Sequence, residues 1–470
     1  MSIIAGYMVP HPPMIMSEIG KGREKDIQDT IDAYESVAED IASHRPDTII
    51  ISSPHSIMYA DYFHISPGSK AYGDMAAFYA PEVSFSADYD TELVTEICNI
   101  ADERMFPAGT LGEKNNTLDH GTMVPLYFIC KKYTDFKLVR IGLSGLPYSE
   151  HYIMGQYIKE AVERSGRRAV YVASGDLSHK LQSYGPYGFA KEGPQYDERI
   201  MDVMGNARFD ELLDFDEGFC DRASECGHRS FVMLAGAFDG VNVEARPLSH
   251  QDVTGVGYGI CIFHPKGADA SRRFLKRRRG KLMEQMENIR EAEDAYVTVA
   301  RRSVESYVAE GIRLDADTAL TGIRDEAVLK DILHRRAGAF VSIHKEGRLR
   351  GCIGTILPVC ENLALELISN GISASTKDPR FSPITEKELS LLEYSVDILG
   401  EPEDIASKAE LDVKRYGVIV LKGIKRGLLL PDLEGVDTID EQIAIAKQKA
   451  GIREDDQDVK LQRFEVVRHK

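Results

Sequence analysis

The chain has 470 residues, of which 43% are hydrophobic and 28% are charged, and its formal net charge is −18. This length and composition predict a globular protein of two or three domains, each large enough to have its own hydrophobic core. The negative charge argues against nucleic acid as the main partner, because phosphate binding requires a basic face. No apolar run has the length of a membrane-spanning helix and no signal peptide is recognisable, so we expect a cytoplasmic protein without membrane contact.

The first half of the sequence alternates between strand and helix patterns. Residues 2–9 form an apolar run that ends at His11 in a Pro-His-Pro-Pro turn, where proline cannot continue a strand ladder. Helical spacing over residues 25–42 leads into a second strand, 47–53, which ends just before His55. Strands joined in this way run parallel, so both histidines are expected at the carboxyl edge of the sheet, where open α/β sheets bind ligands.

Three further polar residues occur in a similar setting. His179 follows a predicted strand over residues 168–173, separated from it by Ser-Gly-Asp-Leu-Ser. His120 ends a mixed region, residues 60–120, which we expect to form an antiparallel flap over the site. Glu225 lies at the polar start of an apolar helix. Each histidine alone is weak evidence, but their shared position after apolar segments points to one site.

Two imidazoles and one carboxylate form the facial triad that holds non-haem Fe(II) and leaves open positions for substrate and dioxygen. We therefore predict that His11, His55 and Glu225 bind the metal. His179 and His120 then remain free for acid/base work near neutral pH.

Five motifs follow one another along this half: His11-Pro-Pro, Ser53-Pro-His55, Asp119-His120-Gly, Gly175-Asp-Leu-Ser-His179 and Glu225-Cys226-Gly227. As an ordered set they resemble the LigB-type class III extradiol ring-cleavage dioxygenases and their relatives in the MEMO family. The resemblance covers residues 1–266. It implies a mononuclear Fe(II) bound by two histidines and a carboxylate, a catalytic histidine at His179, and a substrate pocket lined by His120.

The third ligand has a competing assignment. In the MEMO branch a cysteine takes that place, and here Glu225 and Cys226 are adjacent. Glutamate is the harder ligand and suits Fe(II), whereas a thiolate favours a softer ion such as copper or zinc. We predict Glu225 and Fe(II), with Cys226 and another divalent ion or copper as the alternative.

The second half of the sequence has a different pattern of predicted elements. Seven basic residues between Arg272 and Lys281 predict a linker over residues 267–284, and hairpin and helix patterns follow. The motifs Leu349-Arg-Gly-Cys-Ile-Gly354 and Asp378-Pro-Arg-Phe381 resemble the AMMECR domain over residues 285–470. A fusion of this kind resembles the AmmeMemoRadiSam system, which implies a radical S-adenosylmethionine protein as partner. The predicted fold is an α/β domain, with a mixed sheet covered by helices, followed by an α+β AMMECR-like domain.

The predicted function is that of an oxidoreductase, a metal-dependent, extradiol dioxygenase-like enzyme that acts on a catechol-like or other aromatic substrate with dioxygen. One alternative is a different oxidation or hydroxylation of an aromatic compound at the same metal site, in concert with the radical protein. Another is a non-catalytic, MEMO-like adaptor that binds metal or a peptide. A homo-oligomer is left open.

Overall fold

The structure is a computed structural model that describes residues 3–114, 117–345, 347–433, 435–453, 455–456 and 458–470. The chain divides into two compact units, the first ending at Arg278 and the second beginning at Arg279. Among the described residues, no helix is both long and apolar enough to cross a membrane.

The elements of the first unit follow a largely alternating order. Its strands are β1 (Ile3–Val9), β2 (Thr48–Ser53), β3 (Phe63–His64), β4 (Lys70–Met75), β5 (Ala80–Asp88), β6 (Ala108–Gly109), β7 (Lys137–Gly142), β8 (Ala169–Ser174), β9 (Val241–Gln251) and β10 (Tyr258–Ala268). Its helices are α1 (Ser17–Gly20), α2 (Gln28–His44), α3 (Thr91–Glu103), α4 (His120–Ile129), α5 (Tyr148–Ser165), α6 (Glu192–Gly205), α7 (Glu217–Ala223) and α8 (His228–Ala237).

The main sheet is mixed, with strand order β7-β2-β8-β1-β10-β9. β1, β2, β7 and β8 run parallel, whereas β10 lies antiparallel to β1 and β9 antiparallel to β10. Along β2 the side chains alternate between two cores, with Ile49 and Ile51 on the side of α2 and α4, and Ile50 on the side of α5 and α8. A strand covered on both faces needs such a continuous apolar run. The predicted α/β architecture with a mixed sheet is thus confirmed.

The parallel strands place their carboxyl ends at one edge. β1 leads to His11, β2 to His55 and β8 to His179, and β8 lies between the other two in the sheet. In the region predicted as a flap, β4 and β5 form an antiparallel hairpin, with Phe78 in the connection. The topology therefore brings residues from distant parts of the sequence to one edge.

The second unit contains an antiparallel sheet of order β12-β11-β13-β17-β15-β16, with β14 paired to β17. Its strands are β11 (Ala339–Lys345), β12 (Arg348–Gly354), β13 (Leu392–Leu399), β14 (Glu403–Ile405), β15 (Tyr416–Lys422), β16 (Lys425–Leu429) and β17 (Lys460–His469). The helices after β10 are α9 (Phe274–Ala292), α10 (Ala295–Glu310), α11 (Ala316–Ala319), α12 (Glu326–His334), α13 (Leu363–Thr376) and α14 (Ile439–Lys449). The α+β prediction is confirmed, and α9 occupies most of the segment predicted as a linker, residues 267–284.

Candidate metal centre

His11 is held rigidly at the end of β1. Its backbone N–H donates to Asp176 Oδ1 at 2.7 Å, and its Nδ1 lies 2.9 Å from Ser174 Oγ. Because that hydroxyl donates its own proton to the carbonyl of Gly121 at 2.6 Å, it must accept from His11 Nδ1–H. The Nε2 atom of His11 is therefore unprotonated, which is the form that binds a metal.

Three ligand atoms converge at this edge. His55 Nε2 lies 3.0 Å from His11 Nε2, and Cys226 Sγ lies 3.6 Å from the same atom. The two nitrogens and the sulfur are all within 4.8 Å of one another. Two imidazole nitrogens bound to one ion at about 2.0–2.1 Å are separated by roughly 2.9–3.4 Å. The spacing therefore fits a single ion between His11, His55 and Cys226.

Cys226 is positioned by backbone contacts. The N–H groups of Cys226 and Gly227 lie 3.4 and 3.1 Å from the carbonyl oxygen of Asp176, and the Asp176 N–H donates to Cys226 Sγ at 3.3 Å. A side chain on Gly175 would place its Cβ 2.1 Å from the Cα of Gly227, so these backbones touch. Burial raises the pKa of the Cys226 thiol well above its usual value. A cation at the site would reverse this preference, because a coordinating thiol is deprotonated.

Glu225, the predicted third ligand, has a different role in the structure. Its Oε2 accepts the N–H of His228, the first residue of α8, at 2.6 Å. The carboxylate thus satisfies a free donor at the helix start, where negative charge is favoured. Burial raises its pKa to about 7. In the structure the converging ligand atoms come from His11, His55 and Cys226, whereas the carboxylate of Glu225 bonds to the start of α8. The third ligand therefore remains a prediction, and the geometry favours the alternative, Cys226.

His120 and His179 flank the three ligands. The ring of His120 lies 3.9 Å from that of His55 and 5.3 Å from that of Phe78, measured between centroids. The ring of His179 stacks on Tyr187 at 5.1 Å. Burial, together with the nearby His55, lowers the pKa of both His120 and His179 to about 4.

One nitrogen of His179 is available for chemistry. Its Nε2 is buried and has no hydrogen-bond partner among the residues that the structure describes. Since buried polar atoms are rarely left unpaired, such an atom is a candidate to meet a bound molecule. A neutral imidazole at pH 7 can accept a proton there.

The site is also supported by residues to which the sequence analysis gave no role. Asp119 caps α4 by accepting the Thr122 N–H, and it also accepts from Ser53 Oγ at 2.5 Å. Ser174, Asp176, Tyr187 and Phe78 were not predicted. Ser174 and Asp176 had a usable signal, since both are polar residues at the end of a buried strand, within or beside the motif that ends at His179.

Comparisons with known proteins identify the family of each half of the chain. Residues 5–261 match the family described as the catalytic LigB subunit of aromatic ring-opening dioxygenase. The chain belongs to the LigB family. Residues 297–469 match the AMMECR1 family, so this LigB protein carries an AMMECR1 domain in its second unit. Both resemblances seen in the motifs are thereby confirmed.

Relatives of this LigB protein cover either the whole chain or one half. It is 39% identical to Protein CA_C1420 of Clostridium acetobutylicum over 100% of both chains. A protein of Thermotoga maritima is 52% identical over 38% of this chain and 98% of its own length. The 2-aminophenol 1,6-dioxygenase beta subunit of a Pseudomonas species is 25% identical over 55% of this chain and 92% of its own length. The first unit is therefore related to subunits of aromatic ring-opening dioxygenases.

In the AMMECR1 domain, the two motifs meet. Asp378 Oδ2 accepts the backbone N–H of Cys352 at 2.9 Å and pairs with Arg380 at 2.7 Å. The Arg350 guanidinium pairs with Glu388 at 3.0 Å. These contacts join β12 to the segment after α13 and account for the spacing of the motifs.

Proposed function

We propose that the first unit is a metal-dependent oxidoreductase that acts on an aromatic compound, with its ion held by His11, His55 and Cys226. The convergence of two imidazole nitrogens and one sulfur atom within 4.8 Å carries the proposal. The relation to aromatic ring-opening dioxygenase subunits supports the substrate class. When bound, the ion supplies Lewis acidity and one-electron redox chemistry with dioxygen.

The donor set bears on the identity of the ion. Two imidazoles and a thiolate are softer than two imidazoles and a carboxylate, and they suit copper, zinc and iron. An oxidative reaction requires a redox-active ion, so we propose iron or copper. A site with Cys226 in place of Glu225 favours copper more than the carboxylate site from which Fe(II) was predicted.

The two flanking histidines would handle protons and orientation. At neutral pH His179 is a neutral imidazole whose Nε2 has no partner among the described residues, and in the tautomer protonated on Nδ1 this nitrogen can accept the proton of a phenolic hydroxyl. His120, packed between His55 and Phe78, offers a flat surface and a hydrogen-bonding edge to an aromatic ring. His179 is thus proposed as general base and His120 as the residue that orients the substrate.

A second candidate reaction is favoured by the position of Cys226. Its thiol stands where the sequence predicted a carboxylate, which supports a different oxidation or hydroxylation of an aromatic compound rather than ring opening. In this case a radical S-adenosylmethionine protein would be the partner, and the AMMECR1 domain would serve that partnership. Incubation with labelled dioxygen and an added two-electron reductant separates the two reactions. Ring opening adds both oxygen atoms to the product and needs no reductant, whereas hydroxylation adds one oxygen atom and reduces the other to water.

Metal analysis after anaerobic purification tests the ligand set. We expect His11→Ala, His55→Ala and Cys226→Ala each to lose the ion, whereas Glu225→Gln, the adjacent control, retains it. Loss from Glu225→Gln with full occupancy in Cys226→Ala would overturn the proposed set. His179→Gln should keep its metal and lose about a hundredfold to ten-thousandfold in turnover of an aromatic substrate found by screening. Unchanged turnover would remove His179 from the mechanism.

A further inference from the structure

A second group of ligand-type side chains lies away from the His11 centre. Asp40 and His44 occupy the last two turns of α2, and His264 lies on β10. Their ligand atoms are all within 4.8 Å of one another. His264 Nε2 is 2.9 Å from Asp40 Oδ2, and His44 Nδ1 is 3.8 Å from that same oxygen. The two imidazole rings are 5.4 Å apart and tilted by 32°.

The chain builds this group from two fixed elements. Asp40 and His44 are four residues apart, which places them on one face of the helix. β10 is paired with β1 through Phe263 and Gly6, so His264 cannot shift along the sheet. From the protein interior, the hydroxyl of the fully buried Tyr7 donates to Asp40 Oδ2 at 2.8 Å and holds the carboxylate in place.

The surroundings favour a cation that can exchange with solvent. All three side chains are partly exposed, at 18% for Asp40, 27% for His44 and 30% for His264. They lie at the carboxyl end of a helix, where the free carbonyls carry partial negative charge. Solvent can therefore reach the group and complete the coordination of an ion.

We propose that Asp40, His44 and His264 form a second metal site, which takes a divalent transition ion of the Zn²⁺ class. Two imidazole nitrogens and one carboxylate oxygen are a recognised donor set for Zn²⁺, with water in the fourth position. The ion takes the place of the hydrogen between His264 Nε2 and Asp40 Oδ2, and the neutral imidazole of His264 then carries its proton on Nδ1. His44 contributes a ring nitrogen after exchanging its present bond from Nδ1 to the carbonyl oxygen of Asp40.

This site is separate from the centre at His11. Gly6, which pairs next to His264, precedes His11 by five residues along an extended strand, a distance of roughly 17 Å at about 3.3 Å per residue. The two ions would therefore not share a ligand. An ion at the second site would tie the end of α2 to β10 and stabilise the first unit without entering its chemistry.

Counting metal equivalents in the full chain tests the proposal. After chelation and titration with Zn²⁺, we expect two equivalents in the wild type and one in each of Asp40→Asn, His44→Gln and His264→Asn. In a chain with His11→Ala, His55→Ala and Cys226→Ala, one equivalent should remain, and adding His264→Asn should weaken its binding by at least tenfold. Co²⁺ at this remaining site should show no sulfur-to-metal charge-transfer absorption, since it has no thiolate ligand.

His250→Ala is the matched control. His250 is also partly exposed and its Nε2 pairs with a carboxylate, Asp197, at 2.8 Å, but among the described residues it belongs to no group of three ligand-type side chains that could hold an ion. It should leave the count at two. A wild-type count that stays the same in both Asp40→Asn and His264→Asn, whether it is one or two, would show that the group is only a hydrogen-bonded Asp–His pair. Because each single variant is scored in the wild-type chain, the test holds even if the triple variant does not fold.

Discussion

Replacing Ser174 with alanine removes the hydroxyl that fixes the proton of His11. In the native chain this hydroxyl accepts from His11 Nδ1–H and donates to the carbonyl of Gly121, and Ser174 is fully buried. Alanine fits the same space, since the change only removes an atom. The effect should therefore come from lost hydrogen bonds rather than from overcrowding.

Two consequences can be estimated. The Nδ1–H of His11 and the oxygen of Gly121 both lose their partner in a buried setting, at about 1–3 kcal/mol each, so the free energy of unfolding should fall by about 2–6 kcal/mol. In addition, the His11 ring loses its fixed tautomer and orientation. Loss of such an outer partner weakens metal binding by about 10–100-fold, equivalent to about 1.4–2.8 kcal/mol.

The assay is a metal-binding titration of Ser174→Ala beside Ser230→Ala. Ser230 is also buried. Its hydroxyl lies 2.5 Å from the hydroxyl oxygen of Ser52 and 3.2 Å from the carbonyl oxygen of Ser52, and it is hydrogen-bonded to none of the predicted metal ligands. Both variants should lose stability, and only Ser174→Ala should lose metal affinity. Equal affinities in the two variants would refute the view that the hydroxyl of Ser174 prepares His11 Nε2 for the ion.

Three further predictions concern the same unit and its boundary. Gly175→Ala should lower the free energy of unfolding by about 1–3 kcal/mol and weaken metal binding, because the new Cβ would lie 2.1 Å from the Cα of Gly227. Gly280→Ala, which has open space around it, is the control in thermal unfolding and metal titration. Burial lowers the pKa of His151 to about 3, so between pH 6.5 and 3 the unfolded chain binds more protons and stability falls as the pH is lowered. When the pH is lowered from 7 to 5, the free energy of unfolding of His151→Gln should therefore fall by about 2 kcal/mol less than that of the wild type, as measured by denaturant unfolding. Equal falls in the two proteins would contradict this. Limited trypsin digestion should cut first at the exposed basic residues 276–281 and release two stable fragments; earlier cuts within residues 60–120 would place the boundary elsewhere.

Strand ends were the informative part of the sequence. The apolar runs before His11 and His55, and the proline residues beside each histidine, were enough to place both at one edge of the sheet. The order of the strands in the sheet could not be predicted from the sequence, because β8 pairs with β1 and β2 through contacts between residues more than a hundred positions apart.

The choice between Glu225 and Cys226 could not be made from ligand chemistry. Adjacent residues in a turn point in different directions, and the direction is set by how α8 begins. A signal was present, since a negative charge is favoured beside a helix N-terminus, where the backbone N–H groups have no partner within the helix. Glu225 accepts such an N–H from His228, which leaves the sulfur of Cys226 to face the histidines.

Because of Asp176, the metal site can form only after the chain has been synthesised as far as Cys226. Its carboxylate holds the backbone of His11, while its own backbone holds Cys226, so one residue joins segments 215 positions apart. A chain still being synthesised, or a fragment that stops before residue 226, has the two histidines but not the sulfur or its anchor. Contacts over such separations form late, after the loops between them have closed. Metal loading would then report that the whole first unit has folded, and an unfinished chain would be kept from holding a reactive ion.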